Sequence, residues 1–410
     1  MNSDCETQRK RSKNKQEEEE DEPGSSGTLM ESLPLEIITN IFSSLPISSL
    51  VQSKCVCRAW RILLQDPNLV GTTHNKLCLI FHCDNPIRNH LYFLDFPSHS
   101  DEIDKVKKIQ TPFCASMPEF DIIGSCNGLL CLSDSLYNDS VYIYNPFTRD
   151  YRELPKSIIQ YPNQKVVFGF GFHSETKEYK VVKIIYYRNG RRRPFGRHEF
   201  YTASQSDVQV LALGSSTWRS LGKVSVCNDN YVDHWSDQVC ANGRLVWRRR
   251  YFRGHSLVSF VLADEQFKEV PQPKVEGFWR PDYQLVVLRG CLAAAYHSRD
   301  GKLQIWVMKD YDVKDSWVKE FNIPSYMPEE PKLEMNRNVM VSKLARNGRL
   351  RVLCLLNHSE ILLEYRSGLL VVYDPKSGKF KDLEFQGMPK WFQTVVHVGD
   401  LSQINTHIGT

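Results

Sequence analysis

The chain holds 12 cysteines in 410 residues but no Cys-x-x-Cys spacing. Its tightest pair, Cys55-Val56-Cys57, suits neither a zinc knuckle nor a dithiol redox motif. Gly-x-Ser-x-Gly, His-Glu-x-x-His and P-loop patterns are missing too, and the 12 histidines are scattered without ligand spacing. Gly169-Phe170-Gly171 has no third glycine and sits in an apolar run, so it reads as a strand feature. These gaps argue against hydrolase, metalloenzyme and nucleotide-binding chemistry, and no metal or cofactor is expected. No apolar run approaches the roughly 20 residues a membrane span needs. The most apolar stretch, Leu285 to Tyr296, is broken by Arg289. The first residues are polar and charged, so no secretory signal is expected. A net charge of +4 lacks the concentrated basicity of a nucleic-acid binder. Neither a membrane nor a nucleic acid is an expected partner.

With 20 Pro and 22 Gly the chain cannot be mostly helical, and 18 Tyr, 20 Phe and 8 Trp favour half-buried strands. Cys126 and Cys131 flank Gly128-Leu129-Leu130, and Cys354 sits inside Val352 to Leu356. Thiols in such runs read as small buried hydrophobes, kept reduced in the nucleus and/or cytoplasm.

Residues 1–28 read as a disordered charged tail. A basic cluster from Arg9 to Lys15 precedes an acidic run from Glu17 to Glu22, and neither can bury apolar surface. A compact helical module follows over 29–74. Leu35, Ile38, Phe42 and Leu45 recur on one helical face, with Ile37 and Ile41 alongside. Pro34 fits the first turn, and Pro46 ends this helix and opens the next at Ile47. Leu50 and Val51 give the second helix its apolar face; Val56, Ala59, Trp60, Leu63 and Leu64 mark a third.

From about Leu77 short apolar runs alternate with Gly, Asn, Asp and Pro turns. A weak repeat runs through this region. One half is a glycine-led strand, at Asn127-Gly128, Asn242-Gly243, Arg289-Gly290 and Asn347-Gly348. The other is an aromatic with a basic neighbour and an aliphatic beyond, at Tyr151, Trp218, Phe267, Trp317 and Phe380. A degenerate copy covers Val106 to Ile109. The aromatics are 67, 49, 50 and 63 residues apart, near the roughly 40–50 residue period of four-stranded propeller blades. The expected fold class is α+β and multidomain: three small helices, then a large all-β domain over 75–400, a β-propeller of about six blades, with a C-terminal tail over 401–410.

Leu33-Pro34-Leu35-Glu36-Ile37-Ile38, Ile41-Phe42-Ser43-Ser44-Leu45-Pro46, Leu50 and Cys55-Val56-Cys57-Arg58-Ala59-Trp60-Arg61 together resemble an F-box. Gly124 to Cys131, Tyr144 to Arg149, Phe168 to Phe172, Glu178 to Val182 and Thr217-Trp218-Arg219 resemble the F-box-associated domain of the large plant F-box family. The double glycine of kelch blades is absent. The resemblance implies an adaptor that docks to the Skp-type linker of a cullin–RING ubiquitin ligase and holds a target protein on its β domain. A ligase-independent scaffold and a propeller-fold enzyme are the alternatives.

Linker docking needs an exposed apolar patch, and a module this small hides only part of its apolar surface. The candidates are Leu33, Pro34, Ile37, Ile41, Leu45, Pro46, Leu50, Val56 and Trp60. For the target, Arg191, Arg192, Arg193 and Arg197 lie in a polar insertion broken by Gly190, Pro194 and Gly196. A second basic stretch holds Trp247, Arg248, Arg249, Arg250, Tyr251 and Arg253. Guanidinium forks of this kind suit an acidic or phosphorylated segment, although charged loop tips are also the ordinary surface of a soluble protein.

Overall fold

A computed structural model describes residues 33–64, 76–83, 87–96, 105–137, 140–157, 161, 164–187, 205–224, 238–251, 254–273, 283–328, 350–356, 359–365, 368–389, 392–401 and 404. Three helices come first: α1 (Leu35–Ser44), α2 (Ile47–Ser53) and α3 (Arg58–Leu63). Pro34 and Pro46 precede α1 and α2 as N-caps. Leu45, held extended by the proline after it, ends α1. The third helix starts later than expected. Cys57 caps it, its Sγ accepting from the Trp60 N–H at 3.4 Å, which leaves Val56 in the preceding turn.

The β domain follows. The first sheet takes β1 (Lys76–Cys83), β2 (His90–Asp95) and β3 (Lys107–Ile109); the second takes β4 (Phe120–Cys126), β5 (Leu129–Asp134), β6 (Val141–Tyr144) and β7 (Tyr151–Glu153). The third comprises β8 (Lys165–His173), β9 (Glu178–Tyr187), β10 (Gln205–Ala212) and β11 (Arg219–Lys223). The fourth comprises β12 (Val239–Ala241), β13 (Arg244–Tyr251), β14 (Gly254–Val261) and β15 (Gln266–Val270). The fifth has β16 (Tyr283–Leu288), β17 (Cys291–His297), β18 (Leu303–Met308) and β19 (Trp317–Ile323), and the sixth β20 (Leu350–Leu355), β21 (Ile361–Tyr365), β22 (Leu369–Asp374) and β23 (Lys379–Leu383). The last strand, β24 (Phe392–Gly399), returns to pair antiparallel with β1 from Lys76↔Gly399 to Cys83↔Phe392. The result is six four-stranded antiparallel blades among the described residues, closed by a C-terminal strand placed innermost in the first.

Local chemistry explains the repeat. Asn127-Gly128, Asn242-Gly243 and Arg289-Gly290 all carry positive φ at both positions and join the first and second strands of blades two, four and five. A two-residue hairpin needs that backbone, and Asn-Gly supplies it with little strain. The fourth expected copy is out of phase: Asn347-Gly348 lies outside the described residues, just before β20, the first strand of its blade. The aromatics all fall at or next to the outermost strands β7, β11, β15, β19 and β23, and the degenerate copy is β3. Two of them staple neighbouring blades. Trp218 donates its indole N–H to the Pro155 carbonyl of blade two at 2.6 Å, and Trp317 does the same to Pro271 of blade four at 2.9 Å.

Each sheet buries both faces against its neighbours, so side chains alternate between two cores. On β13, Leu245 and Trp247 point into the layer shared with blade three, and Val246 into the layer shared with blade five. Gly169 and Gly171 on β8 are needed for the same reason. A methyl group on Gly169 would lie 2.6 Å from Trp247 Cζ2, and one on Gly171 would lie 2.8 Å from Cys240 Sγ. The Phe-Gly-Phe-Gly-Phe run is thus a flat face that lets blade four close onto blade three, while Phe168, Phe170 and Phe172 fill the layer shared with blade two.

The packed chain continues past the boundary expected at residue 400. Leu401 and Ile404 are both buried, Leu401 against the helices and Ile404 between blades two and three.

Candidate functional site

The helices pack on the end of the ring where β24 and β4 finish. Ile47 of α2 sits on Gly399, where an added methyl would come within 2.8 Å of Ile47 Cγ1. Phe42, Ile47, Leu50 and Leu64 share one buried cluster with Cys78 of β1, Phe147 of the β6–β7 turn and Leu401. Ser48 donates to the Asp95 carboxylate, and the Lys54 ammonium to the Leu401 carbonyl. Burial lowers the Lys54 pKa, with nearby Asp400 opposing.

This packing sorts the candidate linker-docking residues. Leu50 is 0 % exposed and belongs to the core that joins helices to propeller, so it is not a surface residue. It lies on the apolar face of α2, as its spacing predicts, but that face meets the β domain. Trp60 and Leu45 are half-buried against the same cluster, and Trp60 meets Phe42 edge to face at 5.2 Å. Leu33 and Ile41 are half-buried, whereas Pro34, Pro46, Ile37 at 45 % and Val56 at 64 % are exposed. Two apolar side chains that sequence reasoning left out of the patch, Leu35 and Ile62, are also exposed. Leu35 lay within the helical pattern; Ile62 gave no signal, because its neighbours on α3 satisfy the apolar period.

The candidate target residues fare differently. Trp247 is 6 % exposed and wedged between blades three and four, so it is a core residue and cannot meet a target. Its large apolar surface fits a strand buried on both faces. Arg248 is committed to the next seam: its guanidinium lies over the Tyr283 ring at 5.2 Å and donates to the Tyr283 carbonyl at 2.5 Å. Arg249, Arg250 and Tyr251 lie in β13, but their side chains fall outside the described residues, as do Arg191, Arg192, Arg193, Arg197 and Arg253 altogether. The strands that bracket both basic stretches are described. β9 to β10 and β13 to β14 are second-to-third-strand connections of adjacent blades. The strand ends that bracket them, Tyr187 and Gln205 on one blade and Tyr251 and Gly254 on the next, lie at the end of the ring opposite the helices.

The ring is held by side chains that reach between blades. Lys180 on β9, itself buried, bonds the Glu265 carboxylate of blade four at 2.9 Å and the Leu262 carbonyl at 2.8 Å; Arg219 bonds the same carboxylate. Burial alone would raise the Glu265 pKa, but hydrogen bonds from Arg219 and Lys180 outweigh it and hold the carboxyl below its ordinary value. Arg244 repeats the arrangement one blade on, pairing with Asp312 at 2.9 Å. At the closing seam the buried Glu364 accepts the Thr394 N–H at 3.2 Å while Arg351 donates to the Thr394 carbonyl at 3.0 Å. Burial raises the Glu364 pKa.

Ser125 and His397 form a pair, Oγ to Nδ1 at 2.9 Å, with Asp400 acting on the imidazole electrostatically. It has the composition of a hydrolytic triad but not its access. His397 is fully buried, and burial drives its pKa down to about 3. The pair joins β4 to β24 and is structural. Among the described residues no group of His, Cys, Asp and Glu could hold a metal ion, no helix is long and apolar enough to cross a membrane, and the ten described cysteines are free thiols.

Comparison with known proteins agrees with this division. Residues 30–70 match the family described as F-box-like, and residues 76–408 match the F-box associated beta propeller domain. F-box protein At3g07870 of Arabidopsis thaliana is 51% identical over 396 residues, covering 92% of this chain and 93% of that protein. F-box protein CPR1 of the same plant is 26% identical over 393 residues, covering 91% and 89%. With both units matched along nearly their whole length, the chain belongs to the F-box proteins that carry an F-box associated β-propeller.

Proposed function

We propose that this protein is the target-recruiting subunit of a cullin–RING ubiquitin ligase, a binding adaptor rather than a catalyst. The exposed apolar surface of α1 and of the turn before α3 docks a Skp-type linker, and the propeller holds a target protein for ubiquitination. One observation carries the reading. The helical unit buries Ile47 and Leu50 against the propeller and still leaves Pro34, Leu35, Ile37 and Val56 exposed. So large an apolar fraction on so small a unit suits a second protein partner.

The target would meet the opposite end of the ring, where the paired ends of β9 and β10 and of β13 and β14 lie. Insertions on repeat folds gather on the binding side, and Arg191 to Arg197 fall in sequence between β9 and β10. The basic residues there suit an acidic or phosphorylated segment. The reading places the protein in the nucleus and/or cytoplasm, where thiols remain reduced.

The test is a pull-down of purified Skp-type linker by the full chain, wild type against Leu33→Ala/Pro34→Ala and against Ile37→Asp. Loss of an interface anchor typically costs about 2 kcal/mol or more, so both variants should lose capture while keeping the wild-type unfolding midpoint. Failure of the wild type to bind any such linker would favour a ligase-independent scaffold.

A further inference from the structure

The helices of the linker-docking unit are 10, 7 and 6 residues long. Helices so short do not hold together in water on their own propensity. Of the seven buried residues in their cluster, only Phe42, Ile47, Leu50 and Leu64 belong to the unit. Cys78, Phe147 and Leu401 come from three separate parts of the propeller. The unit therefore has an incomplete core that the ring completes.

Leu401 is the member farthest away in sequence, and the segment around it does three things at once. The Leu401 side chain enters the helical core, and its carbonyl accepts the Lys54 ammonium. The preceding Asp400 carbonyl accepts the Asn145 Nδ2 at 3.0 Å. Asn145 in turn accepts the N–H groups of Phe147 at 3.0 Å and Thr148 at 3.2 Å. That network fixes the turn carrying Phe147, which is itself part of the helical core. Gly399 meets Ile47 so closely that a side chain there would push α2 away. Gly399 is the last residue of β24, and Asp400 and Leu401 follow it directly; β24 is the strand that closes the ring, and its Thr394 is clamped by Arg351 and Glu364 of blade six.

We propose that Gly399, Asp400 and Leu401 are positioning residues for the linker-docking surface, so that α1 to α3 hold their docking posture only when β24 is seated in the ring. The proposal deepens the adaptor reading and rests on it only for the consequence. The coupling itself is a property of the free chain. A propeller whose closing strand is displaced presents a loosened helical unit, and recruitment to the ligase thereby depends on an intact target-holding domain.

The experiment is hydrogen exchange on the free full chain, followed peptide by peptide, with linker binding measured in parallel. Leu401→Ser and Lys54→Met are the variants, and Leu401→Met is the conservative rescue. Lys54→Met lies outside the ring and leaves every β24 pairing in place, so it reports on the coupling even if Leu401→Ser fails to fold. Exchange over residues 35–63 is expected to rise about tenfold or more in both variants, with β4 to β23 unchanged, and to return to the wild-type rate in Leu401→Met. Linker affinity should fall in the same order. Wild-type exchange over 35–63 in Lys54→Met and in folded Leu401→Ser would overturn the proposal. If exchange rises but the wild type binds no linker, the positioning role stands and the adaptor reading fails.

Discussion

The side-chain amide of Gln284 grips Val352 on the neighbouring blade at both of its backbone groups: Nε2 donates to the Val352 carbonyl at 2.7 Å, and Oε1 accepts the Val352 N–H at 2.8 Å. Gln238 does the same to Phe170, at 3.2 and 3.3 Å. Innermost strands have one edge without a strand partner, and their N–H and C=O groups there must be satisfied some other way. Gln284→Leu leaves two such groups bare and should destabilise the domain by about 1–3 kcal/mol for each unmet group. The midpoint and slope of urea unfolding would show it. An unchanged midpoint would mean that water serves the edge equally well.

Two substitutions in the helices should separate packing from docking. Leu50→Ala removes a fully buried side chain, and its cost should fall in the range of about 2–5 kcal/mol for core leucines. Val56→Ala, at an exposed turn, should stay within about 0.5 kcal/mol of wild type in stability yet weaken linker binding. Calorimetry and linker titration on both proteins give the comparison. Equal binding by wild type and Val56→Ala would remove Val56 from the docking surface.

Acid should loosen the closing strand. Burial lowers the His397 pKa from 6.5 to about 3, with Asp400 opposing, and Nε2 finds no hydrogen-bond partner among the described residues. A base whose folded pKa is depressed costs nothing above its unfolded pKa. Below pH 6.5 the unfolded chain takes up the proton and the folded chain does not, so stability falls with pH until about pH 3. The slope is about 1.4 kcal/mol per pH unit at most. Between pH 6.5 and 5 the wild type should lose about 2 kcal/mol more than His397→Gln. Parallel losses in the two proteins would show that His397 does not govern the acid response.

Gly169→Ala should be among the most damaging small changes in the β domain. Its added methyl meets Trp247 Cζ2 at 2.6 Å and Leu245 Cδ1 at 2.9 Å, both rigidly held in the layer between blades three and four. Overpacking of this kind costs about 1–3 kcal/mol. Gly290→Ala, with nothing near the added methyl but a positive φ, carries backbone strain alone and should cost less. Thermal midpoints of the two variants decide the order.

The parts of this fold legible in the sequence are those set by neighbours along the chain. Asn127-Gly128 and Asn242-Gly243 announce hairpins because the turn constrains the two residues that make it. The aromatics from Tyr151 to Phe380 announce outer strands because each blade repeats the same local task. Contacts between distant segments left no such trace. An apolar face on α2 looks the same whether it meets a partner protein or a propeller, so the sequence alone places Leu50 in a docking patch when it packs on the ring. Trp247 beside three arginines resembles a binding patch until the neighbouring blade is in place. Asn347-Gly348 has the composition of the other hairpins but stands one strand early, since sequence does not number strands within a sheet. The burial of Leu401 and Ile404 had no local sign, because both follow the last strand and are held by residues hundreds of positions earlier.

Because Lys76 and Gly399 face each other across one ladder, the ring has a seam but no obligatory starting point. Joining those two residues through an Asn-Gly turn, and opening the chain between β3 and β4, would give a circular permutant in which every blade is contiguous in sequence. Such a chain would carry the six blades without α1 to α3 and without Ile404, which packs between blades two and three, with new ends far from the face on which those helices sit. It would offer a way to test the proposed target capture apart from the proposed docking to a ligase.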